Sequence, residues 1–343
     1  MVRKKHVLVS GYIGFSNFGD EAVFAALSSY LKSKDADVTA FSSNPQETTR
    51  MYGVKSLKYN NPLDILKGIL DCDILFSGGG SLLQNTTSSL SLFYYLAIIF
   101  LALLTGKKVV IFAQGIGPIK GGFSEFLTKI AIKAAKIVTV RDTESQFILK
   151  KWKINSTLVC DPVWGIKLPE YKPQGYVGIQ LRPYEHMDKY FMERLARGVG
   201  LYFDDRKVQI FSFQNNQDAP VCYEFQSILK KASPGIDCEV IARASIDELV
   251  EDFSKLEYLI AMRFHACLLG LHYGIKTLPV SYDKKVESLA KNIGIDYLSA
   301  DDNVDFYPTI QEFRNEGMKA FRPQGLNMAF DWSIFDTILG AKK

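Results

Sequence analysis

The sequence predicts an α/β protein of two doubly wound, Rossmann-like domains facing each other across a cleft, and three observations predict it. Short β-prone apolar runs alternate with helical stretches through both halves of the chain. Nearly every such run ends in glycines or polar residues, as a parallel strand does where its carboxyl end meets a ligand. Between the halves, Lys167 to Gly175 carries two prolines among charged residues and reads as a linker. The division that follows is residues 1–166, residues 176–309, and a helical tail over 310–343 able to pack back across the linker.

Composition narrows the class. At 343 residues the chain has room for about two domains of ordinary size. A hydrophobic fraction of 47% with 23% charged residues is that of a globular protein with full cores. Net charge is only +4, and no lysine- or arginine-dense block stands out, so no nucleic-acid partner is indicated. A mildly basic surface can still favour anionic ligands or lipids. The five cysteines are scattered, which argues for a reducing compartment and against a disulfide frame or zinc site. Arg3-Lys4-Lys5-His6 leads into a strand-length run rather than a secretion signal, and a cytoplasmic location is expected. The most apolar stretch, Leu90 to Leu104, is roughly 15 residues, short of the ~20 needed to cross a bilayer. It reads as a buried helix or as a patch resting on the inner face of the membrane, with Tyr94, Tyr95, Phe100 and Lys107-Lys108 as flanking anchors.

In chain order, Val7 to Ser10 is the first strand, followed by a loop holding Gly11, Gly14, Asn17, Gly19 and Asp20. Three glycines suit a backbone that comes close to something, and Asp20 can cap a helix starting at Glu21. The order is neither that of a dinucleotide fingerprint nor that of a P-loop. Asp37 to Phe41 is the second strand and Pro62 to Leu70 a short helix. Asp73 to Ser77 is a third strand, with Gly78-Gly79-Gly80 and Gln84 after it. Triple glycine costs about 1 kcal/mol per residue relative to alanine, so a loop of free N–H groups facing an anion or a polar ligand is its expected use. Val109 to Ala113 follows, with Gln114 at its end. Ile137 to Val140 ends in Arg141-Asp142-Thr143, either a local Arg141–Asp142 ion pair with Asp142 or Thr143 as a helix cap, or with Arg141 a cation aimed at the cleft.

In the second half, Tyr176 to Leu181 ends in Arg182, and Val208 to Phe213 ends in Gln214 to Asp218. Glu239 to Ile241 and Tyr258 to Ile260 come next. Arg263 and His265 then occupy a strand-to-helix turn, with the helix from Ala266 stopping at Gly274. Lys276 to Ser281 is the last clear strand, leading to Lys285. A permanent cation and a proton carrier two residues apart suit an anionic substrate undergoing proton transfer, although a surface ion pair and a capping histidine would look the same. No cluster has metal-ligand spacing.

The ordered set of motifs resembles polysaccharide pyruvyl transferases, nearest the CsaB type that acts on cell-wall polymers. It comprises Gly14-x-x-Asn17-x-Gly19-Asp20-Glu21, Ser77-Gly78-Gly79-Gly80-Ser81-Leu82-Leu83-Gln84, Ala113-Gln114-Gly115-Ile116-Gly117-Pro118, Arg141-Asp142-x-x-Ser145, Asp161-Pro162-Val163, Met262-Arg263-Phe264-His265-Ala266 and Tyr282-Asp283-x-Lys285-Val286. The resemblance implies a GT-B-like fold. It also implies transfer of pyruvate from phosphoenolpyruvate onto two hydroxyls of a sugar, such as N-acetylmannosamine in a precursor that can be lipid-linked, with no cofactor. On that basis His265 is the expected acid–base. Arg263, Arg141, Lys285 and Arg182 are expected at the donor, with Gly14, Asn17, Gly19, Asp20, Gly78, Gly79, Gly80, Gln84 and Gln114 shaping the acceptor side. Two rivals are a GT-B glycosyltransferase using a nucleotide sugar and a non-enzymatic binder of anionic glycans.

Overall fold

The structure, a computed structural model, describes residues 4–86, 88–184, 187, 189–282, 284–300, 306–315 and 329–340. It divides into two units, Met1–Ile166 with Met328–Lys343, and Lys167–Asn327.

The first unit runs β1 (His6–Ser10), α1 (Phe18–Ser33), β2 (Asp37–Ser42), α2 (Pro45–Tyr52), β3 (Lys55–Lys58), α3 (Pro62–Asp71), β4 (Ile74–Leu83), α4 (Ser89–Leu104), β5 (Lys108–Ile116), α5 (Gly122–Lys133), β6 (Ile137–Val140), α6 (Thr143–Lys151) and β7 (Thr157–Leu158). Local chemistry starts its helices. Asn44 and Asn61 each cap a helix with a side-chain oxygen and are followed by proline, whose fixed φ and missing N–H cost nothing in a first turn. All strand pairs are parallel, and the described residues form a seven-stranded sheet ordered β3-β2-β1-β4-β5-β6-β7. The order reverses between β1 and β4, and ligands of such sheets bind at the carboxyl ends of that pair. Leu8, Leu75, Ile99 and Ile111 anchor a core between this sheet and its helices.

The second unit runs β8 (Tyr176–Gln180), α7 (Lys189–Tyr202), β9 (Val208–Phe211), α8 (Asn215–Ala232), β10 (Cys238–Ile241), α9 (Ile246–Phe253), β11 (Leu256–Ala261), α10 (Phe264–Tyr273), β12 (Lys276–Ser281), α11 (Lys284–Ile293), β13 (Leu298–Ser299) and α12 (Tyr307–Asn315). Its six-stranded parallel sheet is ordered β10-β9-β8-β11-β12-β13, so the reversal lies between β8 and β11. Ile179, Ile210, Ile260 and Leu278 centre its core.

The expected tail over 310–343 is not one element. α12 packs on α7 and buries Ile310 and Phe313 within the second unit. Trp332 and Phe335 belong to the first unit, where Trp332 stacks on Tyr30 at 4.7 Å and Phe335 meets Phe112 at 5.6 Å. The Tyr30 hydroxyl donates to Asp336 at 2.8 Å, and Lys34 pairs with the same carboxylate. Aromatic burial, invisible as periodicity, is what draws this end of the chain onto the first unit.

Candidate active site

In the second unit the predicted residues gather at the carboxyl ends of three adjacent strands. β11 stops at Ala261, and α10 begins at Phe264 with Arg263 as its N-cap residue. His265 therefore lies in the first turn of the helix rather than in a turn before it. Gly274 ends α10 in the left-handed conformation, as expected. From β8, the buried Gln180 accepts the Arg263 N–H at 2.7 Å through its side chain, while its backbone carbonyl accepts from Met262 at 3.0 Å. Arg182 follows β8 and lies 4.7 Å over the Tyr282 ring, donating to its hydroxyl at 2.8 Å. Lys285 is exposed in the first turn of α11, and Asp283 lies outside the described residues.

Arg263 is not a loose cation. Its Nε donates to Asp218 Oδ2 at 2.7 Å and its Nη2 to Asp218 Oδ1 at 2.6 Å, a bidentate pair with a fully buried carboxylate. Nη2 also reaches Gln214 Oε1 at 3.2 Å. Asp218 accepts the backbone N–H groups of Phe213 and Gln214 as well, so its charge is satisfied by the end of β9 and the start of α8. Gln180, Gln214 and Asp218 had no expected role. The signals were a lone amide in an apolar strand and a polar run after another.

In the first unit the residues expected at the acceptor side lie at the carboxyl ends of β1, β4 and β5, with Arg141 after β6, and several corrections follow. Asn17, not Asp20, caps α1, accepting from Gly19 at 3.0 Å and Asp20 at 3.5 Å, and the helix begins at Phe18. Gly14 donates to Glu21 at 2.7 Å, and Tyr52 donates to the other oxygen of that buried carboxylate. Burial pushes the Glu21 carboxyl above its ordinary value.

The triple glycine is no loop either. It continues β4, with φ values of +124°, +79° and +102° at Gly78, Gly79 and Gly80. A Cβ at Gly79 would lie 2.3 Å from Val23 Cγ1, and one at Gly80 2.6 Å from Asp20 Oδ1. The glycines let the first turns of α1 press on the sheet, which sequence spacing could not reveal. Gln84 accepts from the Thr86 N–H at 2.7 Å beyond the strand.

On β5, the register shifts beside Ala113, which has φ +40°, and the bulge re-aims Gln114 into the interior. Gln114 Nε2 donates to Gly80 and Gly115 carbonyls, but its Oε1, like Ser10 Oγ, is buried without a hydrogen-bond partner among the described residues. An unmet buried acceptor costs about 1–3 kcal/mol. Arg141 pairs with Asp161 rather than with Asp142, Nη1 to Oδ2 at 2.7 Å with both side chains buried, and its Nη2 donates to Ser81 at 3.1 Å. Asp142 caps α6 instead. Among the described residues no group of three His, Cys, Asp or Glu side chains is placed to hold a metal. A cavity of about 430 Å³ opens at the opposite, amino edge of this sheet, between Val7, Val38 and Cys72.

The sequence profile of polysaccharide pyruvyl transferases matches residues 17–284. The chain belongs to the polysaccharide pyruvyl transferase family. It is accordingly a transferase, acting in polysaccharide pyruvylation. The match takes in every expected site residue except Gly14 and Lys285, which fall just outside its ends.

No curated protein matches the sequence. Solved structures do resemble the fold. A UDP-GlcNAc 2-epimerase from Neisseria meningitidis bound to UDP-GlcNAc superposes with a TM-score of 0.60 at 11% identity, over 90% of this chain and 91% of that one. A glycosyltransferase from Rickettsia africae gives 0.57 at 13%, over 93% and 90%. Anabaena HepE in complex with UDP and glucose gives 0.59 at 8%, over 92% of each. At these identities the likeness concerns the fold alone, the GT-B-like pair of parallel-sheet α/β units carried by this pyruvyl transferase family member.

Proposed function

We propose that the protein moves pyruvate from phosphoenolpyruvate onto two hydroxyls of one sugar, closing a cyclic ketal and releasing phosphate. The sugar is an N-acetylhexosamine such as N-acetylmannosamine, in a cell-wall or exopolysaccharide precursor of the kind CsaB-type enzymes take, built at the cytoplasmic side of the membrane. The observation that supports this is the placement of Arg182, Arg263 and His265 just after the neighbouring strands β8 and β11 in a chain of this family.

The reaction balances on two hydroxyl protons. The enol methylene takes up one proton and becomes a methyl group. The adjacent carbon forms two bonds to sugar oxygens and loses its bond to the phosphate oxygen, which departs with the second proton. His265 carries the proton between hydroxyl and carbon, and such help is typically worth about 10²–10⁴ in rate. Phosphoenolpyruvate brings about three negative charges at neutral pH. Charge-assisted hydrogen bonds of about 1.5–3 kcal/mol each from Arg182 and Lys285, with the N-terminus of α10, hold it. Arg263, partly neutralised by Asp218, fixes the site's geometry more than its charge. In the first unit, Asn17, Asp20, Gln84 and Gln114 shape the acceptor side.

A nucleotide-sugar transferase would use the same fold, and binding separates the two. Phosphoenolpyruvate added to the substrate-free protein should shift the His265 ring resonances, while a uridine or cytidine nucleotide should not. A nucleotide that shifts them when phosphoenolpyruvate does not would sink the proposal.

A further inference from the structure

We propose that the outer face of α3, α4 and α5 rests on a bilayer containing anionic lipid. These helices follow one another across one side of the first unit's sheet, α3 beside α4 and α4 beside α5. Each turns an apolar stripe away from the core. On α3 it is Leu63, Leu66 and Leu70, on α5 Phe123, Phe126 and Ile130, both at the i, i+3, i+7 spacing of a single helix face. On α4 it is Leu90, Leu101 and Leu104, while Leu92, Leu96 and Ile99 fill the core from the opposite side. Leu63 is 77% exposed, Leu90 82% and Leu104 83%. Single exposed leucines are ordinary; exposed apolar stripes on three helices that pack side by side mark an interaction surface.

Charge selects the partner. From Ser88 to Lys136 the chain carries Lys107, Lys108, Lys120, Lys129, Lys133 and Lys136 against one acid, Glu125, whose carboxylate accepts from Trp152. On α3, Asp64 accepts the Lys58 N–H and Asp71 lies exposed at the far end. An apolar face edged by lysines fits the headgroups and acyl boundary of an acidic bilayer. A second copy of the chain fits less well, because a two-fold contact would press the two sets of lysines together. No helix among the described residues is long and apolar enough to cross a membrane, so the contact is with its surface. The anchors expected from sequence are revised. Tyr95 is buried, Tyr94 donates to the Tyr59 carbonyl, and Lys107 is spent on the Leu70 and Cys72 carbonyls at 2.7 Å each. The outward leucines and phenylalanines, with Lys120 and Lys133, do the docking.

Because α4 and α5 start where β4 and β5 end, the patch borders the strand edge assigned to the acceptor, and a lipid-linked acceptor would be presented there. The docking itself does not rest on the pyruvyl-transfer chemistry and is tested without substrate. The protein should sediment with phosphatidylcholine vesicles containing phosphatidylglycerol at low salt, and less so as salt rises. Each lysine removed should cost about fivefold in partitioning, so Lys120→Glu/Lys133→Glu should lose about thirtyfold or more. Leu66→Asp/Phe126→Asp should abolish binding with an unchanged melting temperature. Wild-type protein remaining in the supernatant at low salt, or variants binding as it does, would overturn the proposal. So would a dimer in sedimentation velocity that Leu66→Asp/Phe126→Asp dissociates.

Discussion

Asp218 and Arg263 meet fork to fork, at 2.6 and 2.7 Å, with the carboxylate fully buried and two backbone N–H groups donating to it from its own side. The pair fastens the end of β11 to the start of α8, and Gln180 fastens the same arginine's backbone to β8. Three strand ends are thereby held in register at the point where the sheet reverses its order. This is the frame on which His265 is carried.

Arg263→Lys keeps the charge but cannot reproduce the planar fork. Breaking a buried pair on one side costs about 3–5 kcal/mol, and either Arg263→Lys or Asp218→Asn should approach that in urea unfolding. The two changes should be strongly non-additive, since each removes the same bond. Both should also weaken phosphoenolpyruvate binding in calorimetry. Additive losses of stability would separate the residues energetically.

His265→Ala should lower turnover at least about a hundredfold while the unfolding midpoint stays near that of the wild type. His272, on the same helix, is the control. Burial holds its imidazole below the ordinary value of 6.5, so the folded state resists its protonation. The unfolded chain therefore binds the extra proton first as pH falls. The stability tied to His272 is complete above about pH 6.5, declines below it, and levels off beneath the folded pKa. His272→Gln should flatten that slope in pH-dependent melting and leave turnover near wild type.

Arg141, expected among the donor ligands, pairs with Asp161 and donates to Ser81. Arg141→Gln removes the cation from the buried Asp161 carboxylate, which keeps the Val163 N–H, and should cost about 3–5 kcal/mol of stability. Donor affinity should change little by comparison. A large loss of affinity with unaltered stability would return Arg141 to the donor site.

Gly79→Ala and Gly106→Ala distinguish close approach from backbone conformation. Both glycines have positive φ, +79° and +72°. A methyl group at Gly106 meets nothing within 4 Å, while one at Gly79 strikes Val23. Gly106→Ala should cost about 1–2 kcal/mol from the left-handed backbone alone. Gly79→Ala should cost that plus about 1–3 kcal/mol of overpacking, read as a lower melting temperature.

What could be read from the sequence was local. Lys276–Ser281, the Asp142 cap and the Gly274 stop rest on neighbouring residues, and each lies where expected. What could not be read depends on partners far along the chain. Gly78–Gly80 looks like a loop until Val23 and Asp20 arrive against it. Arg141 chooses Asp161 over the adjacent Asp142, and Asp218 gains its meaning only from Arg263. The Lys55–Lys58 strand leaves no signal in the sequence because, lying at the edge of the sheet, it is nowhere fully buried and lacks an apolar run.

The most direct test of the central claim is phosphate release that depends on a sugar acceptor. The protein is incubated with phosphoenolpyruvate and lipid-linked disaccharides bearing N-acetylmannosamine or other N-acetylhexosamines. Phosphate and product mass are then followed together. The expected result is one phosphate per product, with the product heavier than its acceptor by pyruvate less one water, and neither signal from His265→Ala. Wild-type protein that transfers a sugar from a nucleotide donor to the same acceptors, with phosphoenolpyruvate left intact, would contradict it.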